Sequence, residues 1–216
     1  MSEHEMAYDR QGHPHPVPDF HDDYGGEKFG LWVFLMTEAM MFGALFLLFF
    51  INLYRHTGAF GAASADLNVW LGGTNTVILL VSTYTMGLAT LMMRRGRTGA
   101  SKRLLWGTAV MAAVFLGIKA FEWSVDIHHG IYPGSGILDA RDDGTILFFG
   151  LYFVMTGLHG LHVIAGIALM AWVLLLIRSG GVRPDHTIVM KNVTLYWDFV
   201  HLVWIVLFPM FYMIGA

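Results

Sequence analysis

An all-α integral membrane bundle of five transmembrane helices, with a cytoplasmic N-terminus and the C-terminus outside, is expected from three features of this chain. The 216 residues are 56% hydrophobic and only 13% charged, roughly half the charge of an ordinary soluble domain. Five apolar runs are each long enough to cross a bilayer as a helix. The cations are also lopsided. Arg10, Lys28, Arg94, Arg95, Arg97, Lys102, Arg103, Arg178, Arg183 and Lys191 fall on the side of the N-terminus, against Arg55 and Arg141 on the other. Excess Lys and Arg marks the cytoplasmic face. The outer loops instead carry Asp66, Asp126, Asp139, Asp142 and Asp143. With no cysteine, disulfides, thiolate metal sites and cysteine-attached haem are excluded. Little room is left for a separate soluble domain, and no nucleic-acid partner is expected.

Residues 1–27 form a polar arm rich in His, Pro and acids. Without apolar periodicity, it is expected to be solvated, cytoplasmic and partly disordered. Its histidines lack the fixed spacing of a metal site. The transmembrane domain, 28–216, follows. Its first helix, about 28–54, is apolar except for Glu38, which a 1.5 Å rise places about 14 Å into the segment. A carboxyl at that depth costs a few kcal/mol on insertion scales, so it needs a partner, solvation or a proton. The second helix, about 67–93, carries the neutral polar groups Asn75, Thr76, Ser82 and Thr83. The third, about 103–128, places Lys119, Glu122 and Asp126 on one face at i, i+3 and i+7. The fourth, about 144–177, carries His159 and His162, and at about 50 Å it must tilt or protrude from the lipid. The fifth, about 189–214, carries Asp198 and His201, with Pro209 expected to kink it. Runs of this length argue for helices rather than a barrel.

Ala39 with Gly43, Gly72 with Thr76, and Gly160 with Gly166 offer small faces for close helix contact. The loop HHGIYPGSGILDARDDG reads as an ordered outer surface loop.

Depth counting sorts the intramembrane polar groups. Glu38 lies at about 14 Å, His201 at about 13 Å and Asp198 at about 9 Å from the inner interface, with His159 and His162 at about 5–9 Å. This offers His201, and then His159, as partners for Glu38. Lys119 and Glu122 lie in the outer half and read as an intramembrane ion pair. Three uses are open. The groups pair inside the bundle and fix helix register; or Glu38, with His159, His162, Asp198 and His201, forms a protonatable or lipid-contacting site; or Glu38, Glu122, Asp198 and the three histidines bind a metal. The last lacks the Glu-x-x-His pair of di-iron bundles and has Glu122 at the wrong depth.

From Lys28 to Ala216 the chain resembles subunit III of haem–copper terminal oxidases, in its five-helix bacterial form. LMTEAMMFGALF resembles the family's buried Ser/Thr-Glu stretch and matches Glu38. GGTNTVILLVSTYTMGLA is similar to its Asn-Thr-x-x-Leu-Leu segment, and GIKAFEW to the segment ending in Glu-Tyr or Glu-Trp, matching Glu122. TGLHGLHVIAG is similar to Thr-Gly-x-His-Gly-x-His-Val and matches His159 and His162. YWDFVHLVWIVLF resembles the closing Tyr-Trp-His-Phe-Val-Asp-x-x-Trp, but here Asp198 comes first and His201 second. Lys119 stands where Gln is frequent.

The resemblance implies a subunit with no catalytic residue, haem, copper or other metal of its own. Haems and copper belong to partner subunits. Subunit I is the main contact; subunit II, further respiratory-complex subunits and membrane phospholipid complete the surroundings. The implied setting is the bacterial inner membrane, in a complex that reduces dioxygen to water and pumps protons. The implied role is to support proton uptake and integrity of subunit I. An accessory subunit of a nitric-oxide reductase is an alternative within reach of the FPMFY ending. A standalone proton-coupled transporter using Glu38 is another, though no inverted repeat is obvious.

Overall fold

The computed structural model describes residues 6–8, 14–16, 24–184 and 187–215. Among them are two short strands, β1 (Met6–Tyr8) and β2 (Pro14–Pro16), and seven helices: α1 (Tyr24–Arg55), α2 (Thr57–Ala65), α3 (Val69–Arg94), α4 (Thr98–His128), α5 (Gly136–Asp139), α6 (Asp143–Ser179) and α7 (Ile188–Tyr212). The protein is an all-α bundle in which α1, α3, α4, α6 and α7 are long and apolar enough to cross a membrane.

The arm contains a small antiparallel hairpin, with Ala7 opposite His15. Prolines on either side leave His15 as the only residue of β2 with an N–H to donate. The rest of residues 1–23 lies outside the described residues, as do the side chains that bear on metal binding by its histidines. α1 begins at Tyr24, earlier than the apolar run, because a helix can extend beyond the hydrocarbon into polar sequence.

Helix boundaries follow local chemistry. Asn68 caps α3, its side chain accepting from the N–H groups of Trp70 at 3.0 Å and Leu71 at 3.3 Å. Asp142 caps α6, accepting from the Thr145 N–H at 3.2 Å and hydroxyl at 2.8 Å. The Thr145 hydroxyl holds the Asp142 carboxyl below its ordinary value. The stabilisation from this cap is therefore present above the unfolded carboxyl's pKa and is lost as pH falls through the lower folded one. Gly180 ends α6 in the left-handed conformation, φ 81°, which carries no Cβ penalty at glycine. α7 runs through Pro209 as helix; the proline forgoes only the bond to the Ile205 carbonyl.

α2 is not apparent from apolar periodicity. Its nine residues, TGAFGAASA, are too short and too uniformly small to show any. It is held from outside its own sequence. Phe60 is fully buried and meets Phe49 and Phe148 edge-on, centroids 5.3 Å away in each case. The Ser64 hydroxyl donates to the Phe211 carbonyl at 2.7 Å. This aromatic layer closes one end of the bundle.

α7 is the central helix and α1 the peripheral one: half of α7's membrane window is buried, against 17% for α1. The small residues divide accordingly. Gly43 on α1 faces open space, whereas a Cβ at Gly72 or Gly166 would strike α7. Within lipid no hydrophobic force drives helices together, so close packing and interhelical hydrogen bonds do. Thr85 with Thr108 and Thr90 with Thr194 are bonded at 2.8 Å. Trp197 donates to Ser82 at 3.2 Å and Trp204 to Thr76 at 3.0 Å.

Gly166 is the tightest test of this packing. A Cβ there would lie 2.7 Å from Trp197 Cζ3, and that indole is fully buried and tied to Ser82. Gly166→Val is expected to destabilise by about 1–3 kcal/mol through overpacking. A lower unfolding midpoint in detergent checks this; an unchanged one would mean α6 and α7 part freely.

Candidate functional site

Two bonded polar clusters and a set of unpartnered groups occupy the membrane-spanning part. The first cluster joins α1 to α6. Glu38 Oε2 lies 3.0 Å from His162 Nε2, with side-chain exposures of 17% and 14%. The other ring nitrogen, Nδ1, lies 2.8 Å from the Leu158 carbonyl. A carbonyl can only accept, so Nδ1 carries a proton. Nε2 therefore faces Glu38 either as a bare lone pair or as the second N–H of an imidazolium. The contact then needs one proton between the two groups: a carboxylic acid donating to imidazole, or an imidazolium donating to carboxylate. A carboxylate facing a bare lone pair would repel it. The pair is thus a one-proton device, neutral overall, which is how an ionisable couple is tolerated at this depth. Tyr196 donates to the His162 carbonyl at 3.0 Å, and Phe42 stands edge-on to the imidazole at 5.4 Å.

Depth counting set His201 and His159 against Glu38; the structure sets His162 there. The count ran inward from residue 144, but α6 has 37 residues and greatly exceeds a hydrocarbon core of about 30 Å. Its first turns are taken up beside α2, where a Cβ on Gly144 would strike Ala59 and His56. About 25 Å of helix separates His162 from Ser179, so the histidines lie well away from the C-terminal end of α6.

The second cluster joins α4, α6 and α7. Lys119 Nζ donates to Glu122 Oε2 at 3.0 Å, to the Tyr152 hydroxyl at 2.9 Å and to the Tyr212 hydroxyl at 2.5 Å. All three ammonium N–H groups are thereby used. Tyr212 in turn donates to Glu122 Oε1 at 2.6 Å. The ammonium also sits over the rings of Tyr152, at 4.5 Å, and Tyr212, at 5.2 Å. Lys119 and Glu122 are 6% and 4% exposed, so full hydrogen bonding is what makes the buried pair tenable. The i, i+3 spacing brought Lys119 and Glu122 together on the sequence. The tyrosines were missed, because Tyr152 and Tyr212 read as apolar bulk; their Oη depth was the available signal.

The other polar residues separate. His159 stacks on Trp204 at 5.3 Å and meets Phe115 edge-on at 5.7 Å. Both its ring nitrogens, and both of His201, lack a hydrogen-bond partner among the described residues. Asp198 lines a groove between α1 and α7, apart from the Glu38–His162 bond. Among the described residues no group of three or more His, Asp or Glu side chains is placed to hold a metal. Beside the first cluster lies an apolar cleft of about 690 Å³ between α1, α6 and α7, with Leu31, Phe34, Trp172, Asn192 and Tyr196 in its wall.

Known proteins agree with this architecture. The family described as "Cytochrome c oxidase subunit III" matches residues 21–216. The chain is similar to the cytochrome bo(3) ubiquinol oxidase subunit 3 of Pseudomonas aeruginosa, 33% identical over 99% of this chain and 93% of that protein. It is 30% identical to the cytochrome c oxidase subunit 3 of Thermostichus vulcanus, over 94% of this chain and 91% of that one. It also aligns, at 31% identity over 85% of its length, with 22% of the heme-copper oxidase subunit I+III of Aeropyrum pernix. With nearly its whole length matched and five helices long and apolar enough to cross a membrane, the chain belongs to the cytochrome c oxidase subunit III family, a family of haem–copper oxidase subunits.

Proposed function

We propose that this chain is a redox-free subunit of a proton-pumping respiratory oxidase that reduces dioxygen to water. In this reading it lies in the bacterial inner membrane with its N-terminus in the cytoplasm, the side favoured by its Lys and Arg. It packs on subunit I, which carries the haems and copper, beside subunit II, and supports proton uptake and integrity there. The Glu38–His162 pair is the observation that carries the reading. It is a one-proton couple held between the peripheral helix α1 and the body of the bundle. Such a couple can hold or release a proton without being a cofactor ligand. The relative in which subunits I and III form one chain supports adjacency to subunit I. Phospholipid chains fit the 690 Å³ apolar cleft beside the pair. Relatives named for ubiquinol and for cytochrome c both align along the chain, so the electron donor is read as a property of the other subunits.

The chain purified alone is expected to show no haem absorption band and no stoichiometric iron or copper. Optical spectra and metal analysis check this, and either signal would overturn the reading.

A further inference from the structure

The hairpin between α3 and α4 carries Arg94, Arg95, Arg97, Lys102 and Arg103, while from Leu67 to Phe121 the chain has no Asp or Glu. The ion pairs among the described residues, Lys119–Glu122, Arg141–Asp66 and His162–Glu38, all lie elsewhere. Water satisfies Arg94, Arg95 and Arg97, which are exposed at the tip of the hairpin. Arg103 is placed differently. It stands beyond the start of α4 at Thr98, about 8 Å along the helix. There it lines a cleft of about 410 Å³ between α3 and α4, whose other walls are Leu88, Met92, Ala100 and Leu104. Arg103 is thus the one polar side chain in an otherwise apolar wall. Trp106 and Val110 follow it at i+3 and i+7 on the same helix face, and they are 58% and 47% exposed. Both open onto a second groove, about 460 Å³, between α4 and α6. Alanines at 109, 113 and 171 leave the room for it, and its lining is entirely apolar apart from the Trp106 indole.

Along α4 the order is therefore a cation, an indole, and an apolar groove that runs on into the hydrocarbon. A phospholipid has its parts in the matching order: phosphate, glycerol, acyl chain. Guanidinium pairs with phosphate through parallel N–H bonds. Indoles favour the headgroup level, and basic clusters at the cytoplasmic end of spanning helices select anionic headgroups. A free phosphate would engage the cation and leave the groove unfilled. We propose that this face binds an anionic phospholipid, with its phosphate on Lys102 and Arg103, its glycerol at Trp106 and one acyl chain in the α4–α6 groove. The site is separate from the cleft between α1, α6 and α7. It rests on the reading above only for the leaflet, which is the cytoplasmic one.

The test uses the full tagged chain with whatever subunits it brings from the membrane. A phosphatidylglycerol carrying a benzophenone in one acyl chain is added, and crosslinks are mapped after illumination. In the wild type they are expected on α4 and α6 around Val110 and Ala171, and unlabelled phosphatidylglycerol is expected to compete about tenfold better than phosphatidylcholine. This arm requires no variant to fold. Lys102→Gln with Arg103→Gln is expected to abolish that preference. Arg183→Gln with Lys191→Gln, which removes the same charge from the same end of the bundle, is expected to keep it. Three results would overturn the site: crosslinks that map elsewhere, a preference that survives in the Lys102/Arg103 variant, or one lost equally in the Arg183/Lys191 variant. Co-isolation of a haem subunit decides the oxidase reading and does not enter this result.

Discussion

Glu122→Leu is expected to destabilise the protein by about 3–5 kcal/mol, the scale for breaking one partner out of a buried ion pair. Lys119 would keep two tyrosine hydroxyls but lose its only bonded anion, 3.0 Å away. Tyr212 would lose the oxygen to which it donates at 2.6 Å. A 6%-exposed ammonium would then be left with only the more distant Asp126 carboxyl, one turn beyond Glu122 along α4, to balance it. The double variant Lys119→Met with Glu122→Leu removes both charges and is expected to recover most of that loss, since apolar replacement of a buried pair is often near neutral. Unfolding midpoints of the wild type, both single variants and the double variant close a cycle that isolates the coupling. Additive single-variant losses would show that the four groups do not act as a unit.

The Glu38–His162 contact should respond asymmetrically. His162→Leu strands a largely buried carboxyl and is expected to cost about 1–3 kcal/mol. Glu38→Gln is expected to cost less than about 1 kcal/mol, because the amide can donate to Nε2 while Nδ1 keeps the Leu158 carbonyl. What Glu38→Gln removes is the exchangeable proton. In the assembled oxidase its haem spectrum should stay intact while proton uptake or turnover endurance declines. Infrared difference spectra of the two variants check the protonation argument: the wild type should show one carboxyl signal that Glu38→Gln abolishes. If the glutamine variant is as unstable as His162→Leu, the shared proton rests on the imidazole and the contact is an imidazolium–carboxylate pair rather than a carboxylic acid donating to imidazole.

The sequence was most legible where one physical constraint dominates. Backbone satisfaction in lipid forces long apolar runs into helices, so all five spans could be read from length and composition. Boundaries were off by a few residues because caps such as Asn68, and polar extensions such as Tyr24–Lys28, are decided locally rather than by hydropathy. α2 escaped because Phe60 and Ser64 are held by α1, α6 and α7, not by any pattern within nine residues. Lys119 and Glu122 could be matched along one helix at i, i+3. Pairing between helices could not: the register of a 37-residue helix against its neighbours depends on where its surplus length lies, which no residue count reveals. Hence the expected partners of Glu38, His201 and then His159, gave way to His162 only in the packed structure.

The central claim is that this chain serves a redox centre it does not hold. It is tested most directly by solubilising membranes gently, isolating the tagged chain, and recording the absorption spectrum and subunit composition of what comes with it. The account predicts haem bands carried by a co-isolated subunit I, with no iron or copper bound to this chain. A chain that emerges free of any haem protein and drives proton-coupled uptake in liposomes by itself would contradict it.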